Sequence, residues 1–236
     1  VNGTRREPIG GPRRSLRTAL TLGAFLLTGA VAVAAALWSL WARWPATPAV
    51  AAPEAPHLPV VVAGETFTVA PAAIRVAMQR HSGPQERLDL VYLWPGLTPP
   101  RPTEPGTPPP PTADRVYVTI APAAGALDPA ERLRTIWLRY TRAELDPAPE
   151  GLALVEFRDG TPYQGEDAAW EENAPEKFLA RCERPAPGRP PATCLSERLI
   201  GGAVVTMRFP RDWLADWRTV AEGFERLLVA LRPKMG

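Results

Sequence analysis

Residues 194–209 read CLSERLIGGAVVTMRF: two strand-forming runs, Cys194 to Ile200 and Ala203 to Phe209, joined by Gly201-Gly202. A two-residue glycine connection is a β-hairpin signature, because its turn needs positive φ at the central positions. The two runs therefore predict adjacent antiparallel strands. The next segment, Arg211 to Leu231, predicts a helix. Trp213, Leu214, Trp217, Val220, Phe224, Leu227, Leu228 and Leu231 fall on one face of it. Asp212, Asp216, Arg218, Glu222 and Arg226 fall mostly elsewhere. A helix divided in this way must lie on an apolar surface, and the back of the sheet supplies one.

The same reading works outward along the chain. Leu58 to Val69, Ile74 to Gln79, Arg87 to Trp94, Arg115 to Ala121, Leu152 to Phe157 and Lys177 to Arg184 read as further strands. Asp128-Pro129-Ala130-Glu131 reads as a helix start: Asp caps, Pro suits the first turn, and Glu completes a capping box. Leu133, Ile136, Trp137 and Tyr140 then form an apolar stripe. Residues 95–111 hold nine prolines and predict a long surface loop that offers an extended docking segment. The pattern predicts an α+β fold, a largely antiparallel sheet covered on one face by two amphipathic helices. Its element order loosely resembles the PsbP/Mog1 type of sandwich.

Location is read from a different stretch. Thr18 to Ala42 is an uncharged run of 25 residues between Arg17 and Arg43. As a helix it would span roughly 37 Å, enough to cross a bilayer. Arg5, Arg6, Arg13, Arg14 and Arg17 precede the run, so residues 1–17 are predicted to be a cytoplasmic tail. Residues 18–44 are then a transmembrane helix whose partner is the lipid bilayer. Trp38, Trp41 and Trp44 mark its outer end. The run is longer than a signal-peptide core, which favours an anchor over a cleaved leader. Residues 45–59, rich in Pro and Ala, predict a stiff linker, and residues 60–236 a periplasmic domain. The expected location is a bacterial inner membrane crossed once.

Charge and cysteines narrow the function class. Through residue 44, six Arg against one Glu carry +5 of a whole-chain +2, which leaves −3 for residues 45–236. The outer domain thus has no electrostatic footprint for nucleic acid. Cys182 and Cys194, both outside the membrane, predict a structural disulfide across a hairpin with a proline-rich loop. Two thiols without nearby His are too few for a metal site.

Catalytic residues are sparse. His57 falls in the linker and His81 in a polar turn between Arg80 and Ser82. There is no G-x-S-x-G elbow, P-loop, H-E-x-x-H or EF-hand spacing, and no cofactor motif. The acidic residues Glu166-Asp167 and Glu171-Glu172 read as a solvated loop. Arg75, Arg80, Arg87, Arg181, Arg198 and Arg208 lie in or beside strand segments. They are expected to make cross-strand ion pairs with Glu86, Glu183 or Glu197, or a polar face that grips an anionic ligand or partner. Arg75, Arg80, His81 and Arg87 are the candidate recognition residues.

Two segments carry a family resemblance: Gln85 to Pro95 (QERLDLVYLWP) and Arg208 to Trp217 (RFPRDWLADW). With the anchor and linker, they make the chain similar to a family of uncharacterised single-pass bacterial inner-membrane proteins. That family has no assigned activity, so the resemblance implies architecture and carries no site residues. The expectation is a membrane-anchored accessory or interaction module with an envelope protein partner. The alternative is a membrane-tethered envelope hydrolase or small-ligand-binding protein, with a pocket near His81, Arg75 and Arg87.

Overall fold

The computed structural model describes residues 26, 28–39, 55–101 and 114–233. The chain divides into two compact units, Val1–Thr47 and Pro48–Gly236. In the first, residues 28–39 are helical. Most of the flanks of the expected span 18–44 lie outside the described residues, among them Trp41 and Trp44. Among the described residues, no helix is long and apolar enough to cross a membrane. The proline-rich segment 102–113 also lies outside them.

The second unit carries the fold, an α+β arrangement with a large antiparallel sheet. Ten strands are described: β1 Leu58–Val62, β2 Glu65–Val69, β3 Gly83–Pro84, β4 Leu88–Leu93, β5 Arg115–Pro122, β6 Leu152–Glu156, β7 Glu166–Glu171, β8 Leu179–Glu183, β9 Thr193–Ile200 and β10 Ala203–Pro210. Seven of them form one sheet in the order β4-β5-β10-β9-β8-β7-β6, and β2-β1-β3 form a small second sheet. The Gly201-Gly202 turn closes the β9–β10 hairpin as expected, with Ile200 opposite Ala203. The run Leu58 to Val69 is a hairpin and not one strand. Ala63 and Gly64 both have positive φ and reverse the chain there.

Two further expectations are corrected. Ile74 to Gln79 makes only a single bridge, Ile74 to Leu90, and then turns through a 3-10 helix at Ala77–Gln79. Glu166-Asp167 and Glu171 are not in a solvated loop: they belong to β7, paired on both sides by β6 and β8. Sheet pairing there overrides a sequence of low β-propensity.

The C-terminal helix, Trp217–Leu231, follows a 3-10 turn at Arg211–Asp216. Val220, Phe224, Leu227, Leu228 and Leu231 are buried, in one core with the β4, β5 and β10 side chains Leu88, Leu90, Val118, Ile120, Val205 and Met207. Gly223 lets this helix approach closely: a Cβ there would lie 2.4 Å from two ring atoms of Trp94.

The other helical segment begins at Pro129–Arg132, passes through a π-helical turn at Leu133–Trp137, and ends at Leu138–Tyr140. The Asp128 carboxylate accepts hydrogen bonds from the N–H groups of Ala130 and Glu131, the cap the sequence predicts. Leu133 and Trp137 pack on Val155, Phe157, Ala168 and Leu179. Those strand positions alternate with Leu152, Leu154, Ala169 and Ala180, which face the first core. The two helices therefore cover opposite faces of the sheet, where the sequence led us to expect one. Hydrophobic periodicity shows that a helix has a buried stripe, and the side of the sheet it reaches depends on tertiary connection.

This second helix packs on the β6-β7-β8 half and reaches β9 through an Arg132–Glu197 ion pair. Along β5 and β10, buried residues alternate strictly with half-buried or exposed ones. Half of the sheet thus keeps one face bare.

Candidate functional site

The bare face is built from outward-pointing positions of four strands. Register places Asp89, Thr119, Thr206 and Glu197 in one row and Val91, Tyr117, Arg208 and Leu195 in the next. Period-two alternation puts both rows on the same side. A concavity of about 350 Å³ opens there, lined by Asp89, Thr119, Thr206, Tyr117, Arg208 and Leu195 together with Arg75 and Arg87.

Asp89 is its most constrained member. Arg87 grips it in a fork, with Nη2 2.8 Å and Nε 3.1 Å from Oδ1. Thr119 Oγ1 donates to Oδ1 at 3.2 Å, and Gln79 Nε2 donates to Oδ2 at 3.2 Å. The Asp89 N–H donates to Gln79 Oε1 at 2.9 Å, so the carboxamide of Gln79 brackets the residue. Burial pushes the Asp89 carboxyl up, but the hydrogen bonds from Arg87, Gln79 and Thr119 outweigh it and hold the group below its usual value. A depressed carboxyl stabilises the fold above its ordinary pKa, and that contribution disappears as pH falls through the folded value. Arg87→Ala removes the largest lowering influence. The Asp89 titration, followed by carbon-13 NMR of its carboxyl, is expected to move to higher pH in that variant. An unmoved midpoint would mean that the fork contributes nothing in solution.

The other cations differ. The Arg75 guanidinium lies 4.9 Å from the centroid of the Tyr117 ring, a geometry that favours a cation over an aromatic face. Among the described residues, the Arg208 guanidinium donates only to Thr193 Oγ1, at 3.4 Å. Among the described residues, neither has a carboxylate within salt-bridge reach. Three Arg against one Asp leave this concavity at +2 on a domain whose overall charge is negative.

Of the residues expected to recognise a partner, Arg75 and Arg87 meet here. Arg80 is used internally, its Nε donating to the Ile74 carbonyl at 3.1 Å. His81 is exposed, with Nδ1 3.0 Å from the Ser82 carbonyl, and does not line the concavity. The convergence of His81, Arg75 and Arg87 that a hydrolytic site would need is therefore not formed. Arg181 pairs with Glu166 at 3.0 Å, and Arg198 with Glu225 at 3.3 Å beneath the C-terminal helix. Glu197 pairs instead with Arg132. The sequence reading did not place Tyr117, Thr119, Thr206 and Leu195 in a site. Their signal was the outward half of the alternation in Arg115 to Ala121 and Ala203 to Phe209, which acquires meaning only once the sheet order is known.

Cys182 and Cys194 form the expected disulfide, joining facing positions of β8 and β9. A larger concavity, about 690 Å³, lies along the C-terminal helix among Glu171, Glu176, Lys177, Arg218, Glu222, Glu225 and Arg226. Four acids and three bases are mixed there, so it has little net sign. Among the described residues, no group of three or more His, Cys, Asp or Glu side chains is placed to hold a metal ion.

No protein-family model matches the chain, and no curated protein matches it either. Among solved structures it is similar to Smlt3025, an immunity protein of the Stenotrophomonas maltophilia type IV secretion system. That likeness has 14% sequence identity and a TM-score of 0.51, over 76% of this chain and 94% of that one. The Neisseria meningitidis iron-regulated outer membrane lipoprotein FrpD matches at 10% identity over 76% of this chain and 92% of its own. Its TM-score of 0.40 is too low to carry an argument. The chain thus shares a fold with Smlt3025, and its function must be argued from its own surface.

Proposed function

We propose that this chain is a membrane-anchored envelope interaction module. Residues 18–44 hold it in the inner membrane, residues 45–59 space it from the bilayer, and the bare half of the sheet is its docking face in the periplasm. Membership of the uncharacterised single-pass family and the PsbP/Mog1-like element order are parts of the same reading. The observation that carries it is the Arg75–Arg87–Arg208 face, left uncovered while the opposite face of the same strands is buried in the core. Buried sheet faces are the rule in a domain of this size, and a polar, cationic exception is a recognition surface by its chemistry. The disulfide supports an oxidising compartment. The similarity to an immunity protein agrees with a binding role at the level of fold only.

The test is gentle-detergent affinity purification of the full chain from its native membrane, beside an Arg208→Glu variant. A partner is expected at near-equal amount with the parent protein and lost with the variant. A protein that purifies alone would overturn the reading. A partner equally retained by Arg208→Glu would remove the docking face from it.

A further inference from the structure

The cationic surface does not stop at the first concavity. Arg208 also lines a second one, about 490 Å³, which lies against the proline-rich loop between β8 and β9. Arg184 and Arg189 face it from that loop side, with Glu166 and Glu183 as its acids. Arg184 is engaged by Glu156 at 3.0 Å. Arg189, like Arg75 and Arg208, has no carboxylate within salt-bridge reach among the described residues. Three guanidinium groups without a carboxylate partner therefore line a trough made of two concavities that share Arg208.

Its direction follows from the strand order. Arg75 hangs at the outer edge of β4, where its N–H donates to the Asp89 carbonyl at 2.9 Å. Arg208 is on β10, two strands inward, and Arg189 is in the loop that joins β8 to β9. The Arg75 guanidinium reaches inward over Tyr117 on β5, the direct neighbour of Arg208 in the sheet row, and Arg189 carries the positive charge on to the strand ends.

Resting on the docking reading above, we infer that the trough binds an extended acidic segment of a partner protein, its Asp and Glu carboxylates seated on Arg75, Arg208 and Arg189. A guanidinium fork matches the planar carboxylate, and several such forks along one trough suit carboxylates repeated along one backbone. A single anionic headgroup or free phosphate would satisfy one guanidinium and leave the others uncommitted. A nucleic-acid strand would meet a domain of net negative charge. Thr119 and Thr206 add hydroxyls between the cations, and Leu195 gives the floor one apolar position. Met78, 84% exposed, stands three residues from Arg75 and offers an apolar contact at that end.

The probe is fluorescein-labelled hexaglutamate, titrated against the purified full chain and read by fluorescence anisotropy. Binding is expected to weaken severalfold between about 50 and 200 mM salt, as screening of exposed charge requires. Arg208→Ala and Arg75→Ala are each expected to lower affinity about tenfold, the scale of one charge-assisted contact. Arg134→Ala, an exposed arginine on the Pro129–Tyr140 segment, serves as control and leaves binding unchanged. Both trough arginines are exposed, and an unchanged circular dichroism spectrum confirms that the variants fold. Equal binding by Arg208→Ala and Arg134→Ala would overturn the inference. So would binding to phosphatidylglycerol vesicles or inorganic phosphate, but not hexaglutamate, in a manner sensitive to Arg208. A photo-crosslinker at Thr206 separates the two levels of argument. A partner trapped in cells while hexaglutamate fails to bind removes the acidic segment and keeps the docking face. Hexaglutamate binding with no trapped partner supports the trough chemistry and counts against the module.

Discussion

Asp167→Ala is expected to destabilise the domain by about 3–5 kcal/mol, the range for breaking one side of a buried ion pair. Asp167 is 2% exposed, in the middle of a sheet row. Arg211 Nη2 donates to its Oδ2, and Arg211 Nη1 donates to the Glu183 carbonyl at 3.0 Å. On the other oxygen, Arg184 Nε lies 3.8 Å away and continues through Glu156 to Arg142. The register sets Glu156 beside Asp167, Asp167 beside Cys182, Cys182 beside Cys194 and Cys194 beside Phe209. One row thus joins five strands by charge at one end and a covalent bond in the middle. Removing Asp167 leaves the Arg211 guanidinium without its counter-charge where water cannot replace it. Burial pushes the Asp167 carboxyl above its usual value, and Arg211 and Arg184 pull it back only partly. Two buried charges are costly to desolvate, and Asp167→Leu combined with Arg211→Met is expected to recover most of the loss. Chemical denaturation of the full chain, followed by tryptophan fluorescence, reads both variants. A loss below about 1 kcal/mol for the single variant would place the pair among solvated surface bridges.

Phe224→Ala has an expected cost of similar size, about 3–5 kcal/mol, from a different cause. Phe224 is 1% exposed at the centre of the C-terminal helix, within the core that includes Trp217, Val220 and Leu227. Truncation removes a ring from a close-packed interior and leaves a cavity that the flanking helix and sheet can only partly collapse. It also strips Arg198, whose guanidinium lies 5.6 Å from the ring centroid, of its aromatic neighbour. Val229, on the same helix but 69% exposed, is the internal comparison. Val229→Ala is expected to stay within about 0.5 kcal/mol of the parent. Equal effects at the two positions would mean that the helix does not dock through the described face.

Local chemistry carried much of the fold into view from sequence. The Gly-Gly hairpin, the Asp128 cap and the apolar stripe of the last helix each depend on neighbours within a few residues, and each is present. β7 was hidden because Glu-Asp-Ala-Ala-Trp-Glu has few β-favouring side chains and is held by partners on both sides. The side of the sheet that the Pro129–Tyr140 segment covers was hidden too, since amphipathicity has no knowledge of which face is vacant. For the site, Arg75 and Arg87 were legible as arginines near strands. Tyr117, Thr119 and Thr206 were ordinary outward strand residues until the order β4-β5-β10-β9 set them side by side. His81 looked the most chemical and lies outside the cluster.

The position of β10 has a consequence for biosynthesis. It is the last strand in the described chain, yet it lies between β5 and β9. A nascent chain can pair β6 through β9 as they emerge, each with its predecessor, and can hold β4 against β5 separately. Until residues 203–210 arrive, these are two half-sheets with facing unsatisfied edges, the kind of surface that recruits strands from other molecules. Such a chain gains protection late, so the interval between its synthesis and its closure is when a chaperone would matter most.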